Sequence, residues 1–374
     1  MIMHTTPTTL ILPARAVELI VRYYGADEIL GRLVERLEGT MSTYAPERSV
    51  TPARSGFHYL HPRPGLVEWM PIHELGRDVT IKVVGYHPEN PAAYRLPTIV
   101  STISAYDTAT GHLSCLMDGV LPTAMRTAAA TVVASRHLAR PDSQCLGLIG
   151  CGAQAVAHAH ALSRYFPLKT ILAYDTDPVA AASLADRCRA FGLDVPVSTS
   201  PIATVVARAD ILVTATSIDI GAGPLFDAGL CHQPHLHINA IGSDFPGKTE
   251  LPLPWLRRAY VCPDFPVQAR IEGECQQLRP EEIGENIVAV CKQPAAYTHL
   301  RDALTVYDST GWSLQDQVVL RLFAERAEAL GLGQRIEIEN MAGQANNPYD
   351  FLTSAAPPSP AVSHSHPHPH ELPA

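Results

Sequence analysis

The chain has no run of basic residues. Its 28 Lys and Arg are outnumbered by 37 Asp and Glu, for a formal charge of -9, and without a positive stripe nothing follows a phosphate backbone. Nucleic acid is therefore not an expected partner. No segment reaches the roughly 18 consecutive apolar residues that a membrane span requires, so no membrane association is expected. The opening MIMHTTPTTLILPARAVELI lacks the basic stretch and apolar core of an export signal. Paired cysteine motifs are missing too. The eight cysteines (Cys115, Cys145, Cys151, Cys188, Cys231, Cys262, Cys275, Cys291) are scattered without a CxxC, several of them in strand-like runs where a thiol packs as a small hydrophobe. That usage suits a reduced, cytoplasmic protein.

Hydrophobic residues make up 46% and charged ones 17% of the 374 residues, which is ordinary for a globular enzyme longer than one average domain. The last stretch, AAPPSPAVSHSHPHPHELPA, is too rich in proline to bury a core, so residues 353–374 are expected to form a disordered tail. Its alternating His364, His366, His368 and His370 read as a solvated tract, with no metal site expected.

Apolar positions recur at helical spacing over residues 14–40 (Val17, Ile20, Val21, then Ile29, Leu30, Leu33, Leu37), predicting one or two amphipathic helices. Residues 57–116 change to short runs rich in Val, Ile and Thr between Pro, Gly and Asn, which predicts a mainly β region. TAMRTAAATVVASRHL (123–138) is Ala-rich and predicts a connecting helix. Beyond Pro141 strands alternate with helices: LGLIG, TILAYD, ADILVTAT, HLHINAIG, RAYVCPD and LTVYDSTG are the strand candidates. Such alternation implies parallel βαβ units. Asp177 as N-cap, Pro178 in the first turn and Gly192 beyond the end punctuate one of the helices. The expected fold is α/β: a Rossmann-type doubly wound sheet at 140–312, an N-terminal α+β domain at 1–139, and a return of 313–352 to that first domain through a helix closed by Gly331.

In GLIGCGAQA, Gly150, Gly152 and Ala155 have the spacing G-x-G-x-x-A between a strand and a helix. The first glycine permits the turn, the second lets N–H groups reach a pyrophosphate, and the small third residue lets helix and strand approach. Asp175 follows at the end of the next strand, where a carboxylate would accept hydrogen bonds from ribose hydroxyls and repel a 2′-phosphate. NAD is the cofactor this predicts.

Three cations interrupt apolar surroundings: Arg54 in PARSGF, Lys82 in TIKVVGY and Arg126 in TAMRTAAA. Each would need an anionic partner if buried, either a substrate carboxylate or an internal ion pair, and Glu68 in LVEWMP is a candidate for the second role. Asp244 lies in the loop GSDFPGK after a strand, with Lys248 four residues on. It reads either as a turn former or as a group facing the ligand crevice.

With PARSGF, VEWMP, TIKVVGYHP, LPTIV, TAMRTAAA, LIGCGAQA, AYDTDP, HLHINAIGSDFPGKTEL, ARIEGECQQL and VYDSTG in this order, the chain resembles the ornithine cyclodeaminase/μ-crystallin family, most closely its bacterial lysine-acting members. The resemblance implies a homodimer formed through the N-terminal domain and NAD held by the Rossmann domain. By motif it assigns the substrate carboxylate to Arg54, Lys82 and Arg126, the acid/base role to Asp244, and further substrate contacts to Glu68, Ser309 and Thr310. The implied NAD contacts are Thr98, Arg126, Gly150, Gly152, Ala153, Gln154, Asp175, Thr216, Ile238, Asn239, Ala240, Ile241, Lys248 and Ser309. Trp312, standing where a phenylalanine is expected, is placed near the pocket.

The implied reaction oxidises the substrate at Cα, closes a ring through the substrate's own terminal amine with loss of ammonia, and returns the hydride to the cyclic imine, so that NAD is recycled. The expected substrate is L-lysine, giving L-pipecolate. Alternatives are ornithine giving proline, a plain NAD-dependent amino-acid dehydrogenase or imine reductase, and a binding protein without catalysis.

Overall fold

The computed structural model describes residues 7–341 and 343–352; the proline- and histidine-rich tail proposed for 353–374 lies outside them. The described chain opens with a strand, β1 (Thr9–Leu12), ahead of helices α1 (Ala14–Tyr24) and α2 (Ala26–Ser42). The amphipathic stretch breaks at Gly25, whose φ of 89° is open to glycine and costly for other residues. Strands β2 (Ser49–Val50), β3 (Ser55–Tyr59), β4 (Gly65–Glu74) and β5 (Asp78–Tyr86) follow. A short helix α3 (Asn90–Tyr94) leads to β6 (Ile99–Asp107) and β7 (Leu113–Asp118).

From β4 to β7 the strands pair antiparallel, with Met70 opposite Lys82 and Lys82 opposite Ile103. Because successive side chains point to opposite faces, Lys82, Val84 and Tyr86 share one face of β5 and Val83 takes the other. The first face is covered: Lys82 is 2% exposed, whereas Val83 is 40% exposed.

Helix α4 (Val120–Leu138) joins the two halves. It is buried over most of its circumference, against α2 on one side and the next helix on the other, which is why its sequence is alanine-rich instead of amphipathic. Then come β8 (Cys145–Ile149), α5 (Ala153–Tyr165), β9 (Thr170–Tyr174), α6 (Pro178–Cys188), β10 (Val197–Thr199), α7 (Ile202–Arg208), β11 (Ile211–Thr214), β12 (His237–Ala240), β13 (Tyr260–Pro263) and β14 (Thr305–Asp308). These seven strands form an all-parallel sheet of order β10-β9-β8-β11-β12-β14-β13. Strand order reverses between β8 and β11, so a crevice opens there at the carboxyl ends. This is the doubly wound arrangement that the alternating pattern predicts. Asp177 caps α6 by accepting from the Val179 N–H at 2.8 Å.

The long helix Ser313–Leu330 returns to the first half, packing on β5, α2 and α4. The last strand, β15 (Gln334–Ile336), then pairs antiparallel with β1, while β1 pairs parallel with β7. Both strands went unforeseen in the sequence, because four and three residues are too few to display a period of two. Among the described residues no helix is long and apolar enough to cross a membrane. All eight cysteines are unpaired, and only Cys231 is exposed.

Candidate active site

A cleft of about 1060 Å³ runs from the carboxyl ends of β8, β9 and β11 to the inner face of the first sheet. On the nucleotide side it is lined by Gly150, Gly152, Ala153, Gln154, Asp175, Thr216 and Ile241, and on the other by Arg54, Lys82, Tyr86, Arg126 and Asp244, with Thr98, Ser309 and Thr310 between. Most of the candidate site residues are thus brought together. Ile238, Asn239 and Ala240 are not among the lining residues; they are core positions of β12, and Asn239 donates to Ser135 Oγ on α4 at 3.2 Å. Glu68 and Lys248 stand behind the lining.

The glycine turn is built as its spacing demands. Gly150 has φ of 91°, and a Cβ there would lie 2.5 Å from the Ala215 carbonyl oxygen. At Gly152, the N-cap of α5, a Cβ would meet nothing within 4 Å. Asp175 accepts from the Cys151 N–H at 2.6 Å and the Asp177 N–H at 2.9 Å, tying the turn to the end of β9. The buried Gln154 Oε1 has no hydrogen-bond partner among the described residues. An open N-terminus of a thirteen-residue helix, a carboxylate one strand over and an unpartnered amide oxygen suit a dinucleotide.

At the far end each of the three cations already meets an anion. Lys82 Nζ lies 3.0 Å from Asp316 Oδ2, and Arg126 Nε lies 3.0 Å from Asp316 Oδ1. Arg126 Nη1 also donates to Gln315 Oε1 at 2.6 Å. Arg54 Nη2 is 2.8 Å from Glu272 Oε1, and Nη1 is 3.7 Å from Glu68 Oε2. Arg54 also donates to the carbonyls of Thr310 and Gly311.

Burial, with the Arg126 charge beside it, holds the Lys82 ammonium down to about 7 despite Asp316. Burial pushes the Glu272 carboxyl up to about 8, against the pull of Arg54. Lysine and glutamate therefore approach neutrality in the same region, the condition in which side chains pass protons near pH 7.

Asp316, Gln315 and Glu272 were not singled out in the sequence. An acid in the first turn of a helix reads as a partner for the helix dipole, which hides the role of Asp316, and Glu272 sits in a polar stretch without period. Two further buried carboxylates shape the loops. Glu250 accepts from Thr214 Oγ1, from Thr216 N and Oγ1, and from Gly242 N at 2.6–2.9 Å. Asp264 accepts from Gly311 N at 2.8 Å and Thr310 Oγ1 at 3.0 Å, which holds the loop after β14 in the cleft.

Trp312 follows the cleft-lining Gly311 and is not itself a lining residue. It is 2% exposed, stacks on Phe265 with centroids 5.5 Å apart, and lies behind the cleft as packing.

A doubly wound parallel sheet with an anion-ready turn, facing a second sheet that offers buried cations, is the arrangement of a nucleotide-dependent enzyme that acts on amino acids. The chain belongs to the ornithine cyclodeaminase/mu-crystallin family, which its residues 25–331 match. It is 42% identical over 344 residues to the L-lysine cyclodeaminase of Streptomyces rapamycinicus, covering 92% of this chain and 99% of that one. A solved lysine cyclodeaminase, described for its recognition of L-lysine, L-ornithine and L-2,4-diaminobutyric acid, superposes with a TM-score of 0.88 at 47% identity. That match covers 91% of this chain and 99% of the other. An archaeal alanine dehydrogenase dimer with bound NAD gives a TM-score of 0.75 at 29% identity, covering 89% and 100%.

Proposed function

We propose that this chain is an NAD-dependent lysine cyclodeaminase, converting L-lysine to L-pipecolate and ammonia. The observation that carries the reading is one cleft with a dinucleotide-type glycine turn at one end and Arg54, Lys82, Arg126 and Asp244 at the other, in a chain so similar to a lysine cyclodeaminase.

Gly150, Gly152, Ala153, Gln154, Asp175, Thr98, Thr216, Ile241 and Ser309 would hold the cofactor, which supplies a reversible hydride acceptor for the substrate Cα. Lys82 and Arg126, oriented by Asp316, and Arg54, oriented by Glu272 and Glu68, would take the substrate carboxylate. A charged hydrogen bond of this kind contributes about 1.5–3 kcal/mol, and it also aligns the Cα hydrogen. The substrate's terminal amine has an ordinary pKa of about 10.4 and attacks only when neutral, so Asp244 would accept its proton. Ring closure is intramolecular and needs no second substrate.

The N-terminal half would supply the substrate groups and the contact between two protomers. On the open face of the first sheet Phe57 is 68%, Val83 40% and Val100 43% exposed, an apolar surface suited to a second copy. A homodimer in the cytoplasm is the state proposed.

Ornithine is the second substrate, because the solved relative is described as recognising it and one methylene separates substrates by only about 1–3 kcal/mol. Mass spectrometry of products from lysine, ornithine, diaminobutyrate and arginine tests the reading, with pipecolate from lysine expected to dominate. Lysine deuterated at Cα should yield pipecolate that keeps the label. Label released as free deuterated NADH would make the protein a dehydrogenase instead.

A further inference from the structure

Tyr86 is absorbed by none of the roles above, yet it lies at the centre of the proton-handling end. It is half-buried, lines the cleft, and follows Lys82 and Val84 on the same face of β5. Its ring carries the Lys248 ammonium, with Nζ 4.1 Å from the centroid. The same Nζ is 3.2 Å from Asp244 Oδ1, and Lys248 is only 6% exposed. The partners of that ammonium are thus the Asp244 carboxylate and Tyr86, through its ring face and its hydroxyl.

A lysine chain carries four rotatable bonds, so a buried ammonium keeps one position only where something fixes it. Asp244 supplies one carboxylate contact from a partly exposed side chain, in a Gly-Ser-Asp-Phe-Pro-Gly turn whose Gly242 and Ser243 are buried and whose Pro246 and Gly247 are exposed. The ring of Tyr86, mounted on a strand paired on both sides, is the rigid member of the three.

We infer that Tyr86 is a positioning residue: it seats the Lys248 ammonium, which in turn holds the Asp244 carboxylate at the mouth of the cleft in the orientation for taking a proton. This rests on the acid/base role proposed for Asp244. Val84, between Lys82 and Tyr86, then faces the span between the carboxylate-binding cation and the proton acceptor, where the methylenes of a diamino acid would lie.

The two contributions of Tyr86, ring and hydroxyl, separate by substitution. Tyr86→Phe keeps the ring face and loses only the hydroxyl, so its kcat should fall less than that of the variant without the ring. Tyr86→Leu removes the seat and should lower kcat about two- to thirtyfold, the range of a cation resting on an aromatic face, with the affinity for NAD and the melting temperature unchanged. A crystal structure of the Leu variant should show Lys248 Nζ out of hydrogen-bonding reach of Asp244, a readout independent of turnover. The inference is overturned if the Leu variant keeps full kcat, if the Phe and Leu variants lose equally, or if Lys248 stays on Asp244 without the ring. The kinetic comparison runs on whatever amino-acid oxidation the enzyme performs. Release of NADH by the unmutated protein would sink the cyclodeaminase reading while leaving the Tyr86 result to be judged separately.

Discussion

Lys82 shows how much a residue's surroundings decide. It occupies a strand position that an apolar residue would fill, 2% exposed, paired with Asp316, which it shares with Arg126. Its ammonium is held down from 10.5 to about 7. Below about 7 both folded and unfolded chains carry this proton, and the whole cost of burying the charge is present. Between about 7 and 10.5 the unfolded chain binds more protons than the folded one, so this group's contribution to stability rises with pH across that window. Lys82→Met cannot titrate. Unfolding free energies from denaturant titration at pH 7 to 10 should therefore shift in favour of the unmutated protein as pH rises. A constant difference between the two proteins would show that Lys82 keeps its proton throughout.

At the scale of elements, the β8–α5 turn joins sequence to chemistry most directly. Its two glycines do different work, and substitutions should separate them. At Gly150 a Cβ would lie 2.5 Å from a backbone oxygen and the φ of 91° is left-handed, so Gly150→Ala should damage the fold. Gly152 has an ordinary φ of -76° and open space beyond it. In Gly152→Val the added Cβ would meet no atom within 4 Å, at a position that lines the cleft. Stability without ligand should stay within about 0.5 kcal/mol, as for other substitutions that break no contact. NAD affinity by calorimetric titration should fall more than about tenfold, which needs only about 1.4 kcal/mol of lost contact. Tight NAD binding by this variant would place the cofactor elsewhere.

For the molecule as a whole, the uncovered face of the first sheet sets the expectation. Phe57 and Trp69 pack edge to face across β3 and β4 with centroids 5.6 Å apart, and Val83, opposite Trp69 on β5, extends the patch. Light scattering should give twice the mass of one chain, and Val83→Asp should shift the population toward monomer by putting a charge into the contact. A monomeric unmutated protein would remove the dimer from the proposal.

Periodicity and punctuation were enough for six of the seven strands of the second half, because these are apolar runs with visible starts and stops; β10, three residues long and largely uncovered, left no such signal. Gly150, Gly152 and Asp175 were legible for the same reason: a local turn with a fixed backbone geometry leaves a local spacing. The partners of the cations were not legible. Asp316 lies 234 residues from Lys82, and only the return of the long helix onto β5 brings the two together. Glu272 meets Arg54, and Tyr86 meets Lys248, in the same way. An isolated cation in the sequence says that a partner is needed and cannot say which, since ion pairing depends on distance in space and leaves no period along the chain. What the sequence by itself determined was the set of elements and the nucleotide turn, both products of short-range backbone geometry. Tertiary structure alone decided which charges stand together in the cleft, because that is a matter of how distant elements pack.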